Sequence, residues 1–93
     1  MKSPAYLSWI RQQPCAVCGG PAVAHHLLGH GDGHMGGKSC DYDSFPLCQE
    51  HHTGNQGVHT LGVASWEKLY GNQAEHVSRT LRRAIYRGFL SGN

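Results

Sequence analysis

The chain has 93 residues, 13 of them glycine, with a mean hydropathy of −0.46 and a formal charge of +2. That length makes one domain and excludes a large apolar core, so a covalent or metal staple is expected. No apolar run approaches the ~20 residues of a membrane-spanning helix, and a charge this mild leaves any polyanion-binding face to clustering rather than totals.

Eight histidines and four cysteines supply the material for a staple. Met1-Lys2 runs directly into SPAYLSWIRQ, with no apolar h-region and no small-residue cleavage site, so the sequence reads as cytoplasmic. Cysteines in that setting serve metals rather than disulfides.

Ser3-Pro4 is a helix start, Ser as N-cap and Pro at the first helical position. Tyr6, Leu7 and Ile10 follow at helical spacing and Pro14 ends the run, which predicts a helix over about 4–12. Cys15-Ala-Val-Cys18-Gly19-Gly20 then has the form of a zinc knuckle, two thiols turned toward one tetrahedral ion. A redox pair has the same spacing but opens a helix after a strand, whereas glycines and Pro21 follow here.

Ala22-Val23-Ala24 predicts a short strand that delivers His25-His26 at its end, with Leu27 and Leu28 able to extend it. From Gly29 to about Asp41 the glycine content predicts an irregular loop carrying His30, His34 and Lys38. Those side chains are either solvated or close on a polyanion. Ser44–Leu47 is the second strand, with Pro46 tolerated only at an edge or a bulge. Gly54 and Gly57 break any regular helix before His59. Beyond it Val63, Trp66, Leu69 and Tyr70 share a helical face that Gly71 caps. Asn72 caps a last helix running to about Tyr86, with Val77, Leu81, Ala84 and Ile85 as the buried stripe. Arg79, Arg83 and Arg87 stand on the other side, with Arg82 nearby.

The stretch Asp43–His59, DSFPLCQEHHTGNQGVH, concentrates the chemistry. Cys15-x-x-Cys18 and Cys48-x-x-His51 form two half-sites of zinc-ribbon type, so Zn²⁺ is expected on Cys15, Cys18, Cys48 and His51. His52 and Cys40 are the alternatives for the fourth ligand; otherwise Cys40 is a free thiol. His25, His26, His52 and His59 remain. Successive strand residues alternate in direction, so one member of the His25-His26 pair can bind a metal while the other faces a substrate. His52 and His59 complete three imidazoles with an open position, which suits a catalytic divalent ion. The remaining histidine becomes a general base, and Asp43 is placed to hold its other ring nitrogen.

The order Cys-x-x-Cys, His-His, Asp…Cys-x-x-His-His, His resembles the HNH endonucleases of the ββα-metal fold. Within them, PCAVCGGPAVAHHLLG…GGKSCDYDSFPLCQEHHTGNQGVH is most similar to phage and prophage proteins, and to the recombination-enhancement, RecA-dependent nuclease family. The resemblance covers about 14–71. It implies His26 as the base, His25, His52 and His59 as ligands of a catalytic Mg²⁺ or Mn²⁺ for which Zn²⁺ competes, and DNA phosphodiester hydrolysis. Asp43 stands where the family has its central Asn, C-x-x-H replaces C-x-x-C, and GNQG is longer than the usual single turn. A recombination protein is a candidate partner by the same resemblance, although the RecA-dependent nuclease's long basic N-terminal extension does not occur in this sequence.

The expected architecture is therefore α+β: one zinc-stapled domain over 1–93, a short irregular β-hairpin with flanking helices, and a basic C-terminal helix over about 72–87. Arg79, Arg82, Arg83, Arg87 and Lys38 are the candidate DNA contacts. The rival reading is a non-catalytic zinc-binding module that binds DNA. It accounts for the cysteines and arginines and leaves the histidines without work.

Overall fold

The computed structural model describes residues 2–28 and 40–90. His30, His34 and Lys38 lie outside them. Helix α1 (Pro4–Arg11) starts where Ser3 accepts the amide of Tyr6 on its side-chain oxygen. Strands β1 (Val23–His26) and β2 (Ser44–Leu47) form an antiparallel hairpin with Val23 opposite Leu47, Ala24 opposite Pro46, His25 opposite Phe45 and His26 opposite Ser44. Two one-turn helices, α2 (Gln49–His52) and α3 (Val58–Leu61), precede α4 (Val63–Tyr70) and α5 (Gln73–Tyr86). The small α+β fold agrees with the expected layout. The segment predicted as broken by Gly54 and Gly57 consists of α2 and α3, separated by those glycines.

Two clusters sandwich the hairpin. Phe45 and Leu47 point from one face into a core with Cys15, Val58, Trp66 and Val77. The opposite face, through Ala24, meets Tyr6 and Ile10 of α1 and Ala84 of α5. All four residues of β2 are buried. Pro46 is tolerated because a two-stranded sheet is all edge. Its carbonyl accepts the amide of Ala16 at 2.9 Å, which docks the Cys15–Gly20 turn beside β2. Gly19, at φ 80°, closes that turn with its amide on the Cys15 carbonyl.

The helical faces differ from the expected ones at two apolar positions. Ile85 is 45 % exposed and Leu69 62 % exposed. The inner side of α5 is instead Gln73, His76, Val77, Thr80 and Ala84. Its polar members are buried because each has a partner. Thr80 donates to the His76 carbonyl, and His76 Nε2 donates to the Tyr70 carbonyl while its ring stacks on Phe45 at 5.1 Å. Hydrophobic periodicity cannot see such residues, since their burial depends on hydrogen bonds rather than on apolar character. Among the described residues, no helix is long and apolar enough to cross a membrane.

Candidate metal centres

Cys15, Cys18, Cys48 and His51 present ligand atoms that all lie within 4.8 Å of one another, a group able to hold a metal ion. The Cys15–Gly20 turn carries two of them. Cys48 is the N-cap of α2 and accepts the His51 amide on its sulfur, and His51 follows one turn later. The Cys18 and Cys48 sulfurs are 3.6 Å apart, and His51 Nδ1 is 3.1 Å from the Cys48 sulfur. A tetrahedral ion with ~2.3 Å metal–sulfur bonds separates its sulfurs by ~3.8 Å, close to this spacing.

The thiols also behave as a ligand set. Burial pushes Cys15 up, but the amides of Cys18, Cys48 and Val17 outweigh it and hold the thiol below its ordinary value. Burial and the neighbouring Cys18 and Cys15 sulfurs push Cys48 up despite the His51 amide. Several thiolates in one small volume repel each other, and a bound cation removes that conflict. Cys40 is half-buried and belongs to neither ligand group found among the described residues.

His25, His52 and His59 form the second group. Their rings meet edge to face, with centroids 5.0 Å (His25–His52), 5.4 Å (His25–His59) and 4.7 Å (His52–His59) apart. His52 Nε2 and His59 Nε2 are 3.1 Å apart. Two ring nitrogens at that distance share either one proton or one cation. Burial is the main cause that lowers His25 from 6.5 to about 4, with the His52, His59 and His26 rings adding to it. Burial, then His59, also lowers His52. Neutral imidazoles are what a metal requires. His25 is 1 % exposed, whereas His52 is half-buried and His59 exposed, so the group is open on one side.

The pleat turns His26 onto the other face of the hairpin. There its Nε2 lies 2.9 Å from Oδ1 of Asp41, in the role expected of Asp43. Asp43 sits at the bend just before β2, where its backbone carbonyl accepts the Leu27 amide and its amide donates to the Cys40 carbonyl. Asp41 is 5 % exposed and also accepts the Ser3 amide at 2.6 Å. The hydrogen bond from His26, then that from Ser3, holds its carboxyl below the usual range. An ionised carboxylate only accepts, so His26 carries its proton on Nε2 and leaves Nδ1 as a base. Asp41 stands at the edge of the glycine-rich stretch, and only its chain neighbourhood with Asp43 hints at it in the sequence.

Arg79, Arg82, Arg83 and Arg87 are exposed and border one shallow surface depression together with Tyr86. Glu75 is the acid near them, 3.9 Å from Arg79.

A small hairpin that carries one cysteine-rich and one histidine-rich ligand group is what these residues define. The chain belongs to a family of proteins of unknown function, DUF968, whose model matches residues 1–88. It is similar to an uncharacterised protein of Escherichia coli strain K12, YdfU, with 46 % identity over 87 residues, 92 % of this chain. The chain spans about a quarter (24 %) of that relative's length. No solved structure matches it.

Proposed function

We propose that this chain is a metal-dependent endonuclease of the HNH, ββα-metal type that hydrolyses DNA phosphodiester bonds. One observation carries the reading. Three imidazoles converge with an open side, and the adjacent strand residue is a histidine held by a buried carboxylate. A purely structural site needs no such base, and a closed structural ion needs no open side.

His25, His52 and His59 would hold Mg²⁺ or Mn²⁺, which supplies Lewis acidity and neutralises charge at the phosphoryl oxygens. His26 accepts a proton from the attacking water at Nδ1, and Asp41 stabilises the ring as it becomes charged. Ser3 holds the second oxygen of Asp41, so the N-terminal turn of α1 supports the base. Zn²⁺ is assigned to Cys15, Cys18, Cys48 and His51, because thiolate-rich tetrahedral sites select it. The arginines on α5 hold the DNA backbone, which contributes affinity without reading sequence.

The test is nicking of supercoiled plasmid by protein stripped of loosely bound divalent ions. Cleavage should return with Mg²⁺ or Mn²⁺ and be lost in His26→Ala. The rival, a non-catalytic zinc-binding DNA module, predicts binding with no cleavage under any divalent ion.

A further inference from the structure

Gln73 is fully buried, 48 residues from His25 in sequence, and part of no ligand group. Its side chain reaches across from the first turn of α5 to the end of β1. Oε1 lies 2.9 Å from His25 Nε2 and accepts the Leu28 amide at 3.4 Å, while Nε2 donates to the Leu28 carbonyl at 2.8 Å. The Gln73 backbone N–H in turn donates to Glu67 Oε2 at 2.8 Å, which fixes where α5 begins.

Hydrogen bonding alone settles the orientation of the Gln73 amide. Rotated by half a turn, its NH₂ would face the Leu28 N–H, and its oxygen would face the Leu28 carbonyl. Both are repulsive pairings at a fully buried side chain. The oxygen therefore faces His25, and His25 Nε2 must be the donor. The neutral ring, being protonated at Nε2, has its free lone pair on Nδ1. We infer that Gln73 is the positioning residue of the histidine centre, locking His25 in the tautomer that presents Nδ1 to the metal.

This rests on the metal-site reading of the proposed function and not on DNA cleavage. Oriented outer hydrogen bonds on a metal-bound histidine typically alter metal affinity by ~10–100-fold. Gln73 also ties the histidine group to the start of α5, the helix along which Arg79, Arg82 and Arg83 lie.

Imidazole nitrogen shifts, measured by NMR on protein with zinc on the cysteines and no other ion, report the tautomer directly. His25 should show Nε2 protonated and Nδ1 bare. Gln73→Met, which preserves volume but removes the acceptor, should lose that preference and bind Mn²⁺ ~10–100-fold more weakly, with the zinc content unchanged. An Nδ1-protonated His25 in the wild-type protein overturns the inference, as does unchanged Mn²⁺ affinity in Gln73→Met. If Gln73→Met does not fold, the wild-type tautomer still decides it. A protein that shows the expected pattern and cuts no DNA leaves the inference intact and overturns the nuclease reading.

Discussion

His51 and His52 are adjacent in the chain and belong to different ligand groups, His51 to the cysteine cluster and His52 to the histidine cluster. Helix α2 is one turn long, and its N-cap, Cys48, is itself a ligand-group member. An isolated turn of helix has almost no stability of its own. The cysteine centre thus organises the segment that delivers His52. Cys48→Ser should lose the zinc and much of the fold, since metal binding in so small a domain is folding free energy. Mn²⁺ binding at the histidines should fall with it. A Cys48→Ser protein that remains folded and zinc-loaded would remove Cys48 from the ligand set.

Gly57 separates α2 from α3 for a steric reason. A Cβ there would lie 2.6 Å from the His52 carbonyl oxygen and 2.8 Å from the Thr53 nitrogen, both backbone atoms that cannot swing aside. Gly57→Ala should destabilise the protein by ~1–3 kcal/mol through this overpacking, and separate His52 from His59. Chemical denaturation and Mn²⁺ titration of the same variant measure both effects. Wild-type values in each would mean that the turn relaxes freely.

Asp41 and Asp43 are separable by substitution. Asp41→Asn must place its NH₂ against either the Ser3 amide or His26 Nε2, so it distorts α1's start or imposes the wrong tautomer on His26. Its cleavage rate should fall by ~10² or more, like that of His26→Ala, with DNA affinity retained. Asp43→Asn should cut within a few-fold of wild type. Equal losses at 41 and 43 would return the orienting role to Asp43.

Acid should weaken the metal-free protein through His25. Its folded value of about 4 lies below the ordinary 6.5, so between these two pH values the unfolded chain binds the extra proton. The stabilisation is present above 6.5 and is lost as pH falls toward 4, by at most ~3 kcal/mol. Lowered Asp41 acts in the same direction, losing its contribution as pH drops further. Urea unfolding of metal-free wild type and His25→Asn across this window isolates the His25 share. Parallel profiles would show that His25 titrates the same way folded and unfolded.

The basic face is tested by salt. Replacing Arg79, Arg83 and Arg87 with Ala touches only exposed positions, so the fold should survive. Binding to DNA of any sequence should weaken, with the slope of log K against log salt shallower by ~0.9 for each phosphate no longer neutralised. Cleavage should recover at high enzyme concentration because the histidines are untouched. An unchanged slope would leave this face to water.

What the sequence determined by itself is whatever depends on short spacing. Ser3-Pro4 started α1, Asn72 capped α5, and the strand alternation separated His25 from His26, because caps and periodicities act within one or two turns of the backbone. The half-sites Cys15-x-x-Cys18 and Cys48-x-x-His51 were legible for the same reason, as each is one tight turn, and the thiols and imidazoles had no use in an apolar core. The tertiary structure alone decided which distant groups meet. The turn that leads into β2 brought Asp41 to His26. The docking of α5 on β2 buried Gln73, His76 and Thr80 and left Ile85 outside. Gln73 reached His25 only because that docking carried the start of α5 to the end of β1. Polar burial is favourable only once a partner is present, and a partner 48 residues away has no local signature.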